Sequence, residues 1–190
     1  MGLFGGKMLL GYDLGNAFCQ ISYAPSVTAE VETLSQVTGS QNYHIPTVLC
    51  KRSGASQWYY GREALRCTEE GQGILVRNLV EQAIDGELVF IDGDSFDPVA
   101  LLTLFVKRSL SLLGQVASSD RIGGLLFTVE YLDGRLLEVL NQVVAMRRAI
   151  TVSCSVSPGP CGTTGQCFLL TGTVASRYMC WNVISGPPQW

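Results

Sequence analysis

Residues 97–148 read as helix, strand, helix, and this run limits the fold more than any other part of the chain. Asp97-Pro98 is a strong helix start: the Asp side chain can accept from the first free N–H groups, and Pro is tolerated in the first turn. The pattern predicts a helix to about Leu113, stopped at Gly114. Its apolar residues, among them Leu101, Leu102, Phe105, Val106 and Leu110, occupy most of the circumference, so the helix must be covered on more than one side. Residues 124–129 read as a buried strand. Residues 133–148 read as a second long helix, buried through Leu136, Leu137, Leu140, Val143 and Val144, with Arg147 and Arg148 at its favourable C-terminal end.

Strands are expected ahead of this unit. Met8-Leu9-Leu10-Gly11-Tyr12 reads as a buried strand ending at Asp13. Residues 17–23 set Phe18, Gln20 and Ser22 against Cys19, Ile21 and Tyr23, the alternation of a return strand. Further strands are expected at 27–37, after the loop that opens 44–50, at the aromatic run 58–61, and at 88–91 before the acidic turn Asp92-Gly93-Asp94. A short helix is expected at 62–70, and residues 73–82 show no clear period. Hairpins feeding a helix–strand–helix unit give an α/β fold with a mixed sheet flanked by helices.

Charge divides the chain near residue 149. All 16 acidic residues lie between Asp13 and Glu138, and residues 150–190 hold one charged residue, Arg177. Those same residues hold 4 Cys, 4 Pro and 5 Gly. Residues 7–149 therefore read as one domain, and residues 150–190 as a low-charge tail. Cys154, Cys161, Cys167 and Cys180 form no Cys-x-x-Cys and have no His near them, which does not suit a zinc site. The tail is read as an out-of-frame segment or, alternatively, as a native apolar cap with short strands at 168–170 and 178–184.

The net charge of −3 argues against a nucleic-acid binder, which would carry a basic patch. No apolar run reaches the roughly 18 residues needed to span a bilayer. The start lacks the apolar h-region of a signal peptide. Gly6 stands where a myristoylation signal wants Ser or Thr. A cytoplasmic protein, with neither membrane nor nucleic acid as partner, is expected.

Asp13-Leu14-Gly15-Asn16 sits between two strands, so it is not a P-loop, which leads from strand into helix. A tight hairpin can still gather backbone N–H groups into an anion-binding nest. An Asp at the end of the preceding strand can hold magnesium through water. An ordinary hairpin turn would use the same residue types.

Gly11-Tyr12-Asp13-Leu14-Gly15-Asn16 resembles the first phosphate motif of the actin and heat-shock-chaperone ATPases, an apolar strand followed by Asp-x-Gly and then Thr or Ser. His44-Ile45-Pro46-Thr47-Val48 followed by Tyr60-Gly61-Arg62-Glu63-Ala64 is similar to that superfamily's Pro-Ser-x-Val … Gly-x-x-Ala passage. Leu126-Phe127-Thr128-Val129-Glu130-Tyr131 before a long helix resembles its Thr-Val-Pro-x-Tyr passage. The three matches come in the superfamily's order, and the likeness is to an uncharacterised bacterial actin-like branch.

The resemblance implies a ribonuclease-H-like fold, of which this chain covers the first lobe. It implies ATP and magnesium as cofactors, with Asp13 near the metal through water and Gly15, Asn16 and Ala17 at the β- and γ-phosphates. Asn16 replaces the family's hydroxyl residue, and Ala17 offers no side-chain donor. The family's mid-lobe lysine has Arg77 as its nearest counterpart. The second phosphate loop belongs to a second lobe, and no acidic residue follows Ala149 to act as the catalytic carboxylate. The expectation is a truncated lobe with a vestigial phosphate hairpin, no catalytic residue, weak or absent nucleotide binding, and a missing second lobe or another protein as partner. Two alternatives stay open: a non-catalytic interaction module on the same fold, and a sugar-kinase relative with Asp133 as its catalytic Asp.

Overall fold

The computed structural model describes residues 8–26, 29–116, 122–145, 151–156 and 167–168. The chain opens with a hairpin of β1 (Met8–Leu14) and β2 (Phe18–Ala24). Its alternation is the expected one: Leu10, Tyr12, Cys19 and Ile21 are buried, and the residues between them face the other side. Of the strand expected at 27–37, residues 27–28 lie outside the described residues, and residues 29–37 keep only β3 (Glu32–Thr33). Leu34 is buried and Val31 is exposed, so the segment has little apolar surface to gain from a longer ladder. β4 (Ile45–Pro46) also pairs with β2.

A second sheet has the order β6-β5-β7, from β5 (Leu49–Arg52), β6 (Trp58–Tyr60) and β7 (Gly73–Val76). The helix α1 (Gly61–Glu69) packs on it through Ala64 and Cys67. Residues 73–82 lacked a period because β7 and α2 (Leu79–Asp85) meet inside them, at Asn78 in the left-handed region, φ 53°. β8 (Val89–Ile91) and β9 (Asp94–Phe96) form a small hairpin through Asp92, φ 53°, and Gly93, φ 83°. Two positive-φ residues suit a two-residue hairpin turn, which explains the Asp-Gly pair. The return strand β9 was not expected, since Phe96 is its one apolar residue and leaves no alternation to read.

The first long helix, α3 (Pro98–Leu110), tightens into a 3-10 turn (Ser111–Gln115), a common end for an α-helix. The Asp97 carboxylate caps it, accepting from Val99 N at 3.2 Å and Ala100 N at 3.2 Å. β10 (Ile122–Val129) and α4 (Gly134–Ala145) follow as expected. Arg147 and Arg148 lie outside the described residues. In α4, Leu136, Leu140 and Val143 are buried with Val139, while Leu137 and Val144 are only half-buried. The last described strands are β11 (Thr151–Val156) and β12 (Cys167–Phe168). The rest of the segments expected at 168–170 and 178–184 lies outside the described residues.

The main sheet has the order β12-β11-β10-β1-β2-β3, with β4 beside β2. β1, β10 and β11 are parallel neighbours, and the β1–β2, β2–β3 and β11–β12 pairs are antiparallel. The sheet continues past the compositional boundary at 149/150, since β11 pairs with β10 over residues 151–156. The fold is therefore a mixed α/β arrangement, as expected. One face of the sheet is packed under α3 and α4, with Tyr12, Phe105, Phe127 and Leu140 fully enclosed. The Tyr12 and Phe127 rings lie 5.3 Å apart, and the Tyr12 hydroxyl sits 2.6 Å from Ser109 Oγ, joining β1 to α3. The opposite face carries half-buried Leu9, Gly11 and Ser22 and exposed Asp13, Phe18 and Leu126.

Candidate functional site

Parallel β1, β10 and β11 bring their carboxyl ends to one edge of the sheet, and the β1–β2 turn lies at that edge. In open α/β sheets this is where ligands are held. Asp13, near the end of β1, is directly opposite Thr128 on β10 and Gln20 on β2. The pairing of Phe18 with Pro46 and of Cys19 with Ile45 brings His44 next along the same line. Residues directly opposite one another point to the same face. Thr128, Asp13 and Gln20 therefore form a polar row across three strands, continued by His44 just before β4, on the face that the helices leave open. Asp13 and His44 are exposed, and Gln20 and Thr128 half-buried. The His44 ring is edge-on to Phe18 at 5.9 Å. Partial burial raises the Asp13 carboxyl above its ordinary range, and the charge of His44 pulls it back in part.

Gly15 does not adopt a positive φ; what it supplies is close approach. Its N–H closes the hairpin on Phe18 O at 3.1 Å, and a Cβ there would lie 3.0 Å from that same oxygen. The N–H groups of Asn16 and Ala17 enter no hydrogen bond among the described residues, so the turn keeps two donors for a ligand. Asn16 Oδ1 accepts from Glu81 N at 3.1 Å, which fixes the first turn of α2 against the hairpin. This leaves the Asn16 side-chain NH2 as the group with capacity to donate. Ala17 O accepts from Thr47 N at 2.9 Å. Thr47 is fully buried, and its Oγ1 has no partner among the described residues. Arg77 is exposed and stands two residues before α2, on the side that Asn16 anchors.

The four residues singled out from the sequence, Asp13, Gly15, Asn16 and Ala17, are thus contiguous on one turn, with Arg77 on the segment anchored to it. The place of Gln20 and Thr128 beside Asp13 was missed. Their signal is strand register, which exists only once β1 has been paired on both sides. Among the described residues no three His, Cys, Asp or Glu side chains gather into a metal-binding group. Asp133 caps α4, its Oδ1 accepting from Leu136 N at 2.8 Å. Trp58 and Tyr60 pack edge-on against Phe96 and Phe105, at 5.3 Å and 6.4 Å. Among the described residues no helix is long and apolar enough to cross a membrane.

Residues 30–152 match the sequence profile of a family of unknown function (DUF5716), its C-terminal part. The chain belongs to this family. The matched stretch runs from just before β3 into the start of β11, and the opening hairpin with Asp13 and Gly15 precedes it. No curated protein matches the chain.

Proposed function

We propose that this domain is the first lobe of an actin-like nucleotide-binding fold of ribonuclease-H type, and that the turn from Asp13 to Ala17 is its phosphate site. The observation that carries the reading is the strand order β3-β2-β1-β10-β11 with the polar row at its edge. An antiparallel three-strand meander joined to two parallel strands through α3 and α4 is what the actin-like resemblance implies. In this reading the protein is cytoplasmic and needs neither membrane nor nucleic acid. The residues present suit ATP with magnesium. The N–H groups of Asn16 and Ala17 and the Asn16 amide donate to phosphate oxygens, Gly15 keeps the approach free of a Cβ, and Asp13 holds the hydrated metal. Magnesium, when bound, neutralises phosphate charge. One turn surrounds a polyphosphate on one side, so this chain alone is expected to bind nucleotide weakly and to show no appreciable turnover.

Calorimetry with magnesium-ATP tests the site. Binding is expected to disappear in Gly15→Val, which blocks the backbone approach, and to lose its magnesium dependence in Asp13→Ala. Tight binding untouched by both changes would move the site elsewhere. A second reading, a non-catalytic interaction module on this fold, is favoured by the Asn16–Glu81 bond, because the residue that replaces the family's hydroxyl is tied into the scaffold. Absence of any heat with ATP or ADP, with the fold intact, would select it. In the sugar-kinase reading the catalytic Asp is Asp133 at the start of α4, whose Oδ1 also accepts from Leu136 N.

A further inference from the structure

A second, smaller core lies under α1. It is built from Val48, Cys50, Ala64 and Cys67, with half-buried Tyr59, Leu65 and Leu75 around it. Cys50, on β5, is fully enclosed, and Cys67, on α1, is 5% exposed. Both are free thiols. Cys50 faces the helix: its Sγ lies 3.4 Å from Thr68 Oγ1, and the Cys67 thiol is hydrogen-bonded to it. Gly73 makes room beside it, since a Cβ there would lie 2.6 Å from the Cys50 sulfur. Thiols from a strand and a helix thus meet where the two elements pack.

A buried Cys packs as a small apolar side chain, and Ala or Val would fill such a space as well. What the two sulfurs add is reach of each other. Burial, and then the hydrogen bond to Cys50, hold the Cys67 thiol above its ordinary range, so the pair rests as two thiols at neutral pH. The helix over them is lightly held. Its buried residues are Gly61, Ala64 and Cys67, two of them without a large side chain. An element with so few buried apolar contacts opens locally at small cost, and opening α1 uncovers Cys67.

We propose that Cys50 and Cys67 are a modification site, which a low-molecular-weight disulfide oxidises to an intramolecular cross-link that fastens α1 to β5. The Cys67 thiolate, uncovered when α1 opens, attacks one sulfur of the reagent. The reagent's S–S bond breaks and its first thiolate leaves. The Cys50 thiolate then attacks the Cys67 sulfur of the mixed disulfide, and the second thiolate leaves. The protein gives up two electrons and two protons, and the reagent takes them as two thiols. An S–S bond is about 2.05 Å long, so the sulfurs draw together from hydrogen-bonding reach. Excess thiol reverses both steps. Cys19 lies in the main core under α3 and α4 and has no part in this pair. The inference stands apart from the phosphate site and does not depend on it.

The test incubates the reduced full chain with glutathione disulfide at mildly alkaline pH, with and without denaturing urea. Remaining thiols are then alkylated and the chain is digested with trypsin. Trypsin leaves Cys67 on the fragment 67–77, and Cys50 with Cys19 on the fragment 8–51. Without urea the two fragments are expected to be joined, less two hydrogens, and to separate in dithiothreitol. Fragment sequencing assigns the bond to Cys50 or to Cys19, so the wild-type map stands without any variant. Cys50→Ala should lose the junction. Hydrogen exchange in α1 should slow about tenfold on oxidation and recover in dithiothreitol. A junction that forms only in urea, one assigned to Cys19, one that survives Cys50→Ala, or exchange in α1 unmoved by oxidation overturns the proposal.

Discussion

Burial on the open sheet face raises the Asp13 carboxyl, and His44 offsets only part of that. A native pKa above the unfolded one favours the protonated form on folding. The stability so gained is complete below the unfolded carboxylate range and is lost as pH rises through the native pKa. Asp13→Asn is neutral at every pH, so it is expected to raise the urea midpoint slightly at pH 7. That advantage should vanish near about pH 3, where Asp is also neutral. A lower midpoint at pH 7 would mean that the carboxylate stabilises the fold. Tyr12 makes the contrasting case. Burial raises its phenol well above the ordinary range, and the hydroxyl stays a neutral partner of Ser109. Tyr12→Phe should cost about 1 kcal/mol, since Ser109 keeps its bond to Val106 O. Tyr12→Ala should cost roughly 3–5 kcal/mol through the cavity it leaves. Denaturant titration separates the two.

The α3 helix depends on its first residue outside the turn. Removing the Asp97 carboxylate leaves Val99 N and Ala100 N without their acceptor, so Asp97→Ala should cost about 1 kcal/mol in urea unfolding. This cap was legible from two adjacent residues because Asp and Pro act locally. The β8–β9 hairpin is held differently. Lys51, almost fully buried on β5, reaches across to Asp92 in the hairpin turn. Asp92→Asn tolerates the positive φ but leaves the ammonium without its counter-charge, and should cost roughly 1–3 kcal/mol. Lys51→Met replaces the stem by a similar volume and should be nearly neutral. If the two cost the same, the loss of the pair itself, and not the ammonium left buried without its counter-charge, sets the penalty. No sequence pattern pointed to this contact, since 41 positions separate its partners.

At the scale of the molecule, the charge boundary at residue 149 and the end of the family match at residue 152 fall close together, while the sheet runs on through β11 to Val156. The out-of-frame reading of residues 150–190 and the native-cap reading make opposed predictions for the coding DNA. On the out-of-frame reading, translation in one of the other two frames, from codon 140 onward, is expected to give a charged chain carrying an Asp-x-Gly-x-Gly loop. If neither frame does so, the tail is a native cap and β11 belongs to it. The polar row also belongs to this scale. Thr128 and His44 come from segments 84 positions apart and share a row only because β1 and β2 lie between them.

The sequence by itself determined the opening hairpin, the two long helices and the strand between them. Alternation and 3.6-residue periodicity record which side of each element is buried, and caps mark where helices start. It also determined that Asp13 and Gly15 lie close together where β1 turns into β2, because near neighbours in a tight turn stay neighbours in space. Tertiary structure decided how far the third strand extends, since that depends on what Leu34 finds to bury against. It decided that Asn16 holds α2, that Gly15 is needed for closeness, and that Asp13 shares a face with Gln20, Thr128 and His44. Each of these rests on strand order and register, which are set by contacts between segments far apart in the chain.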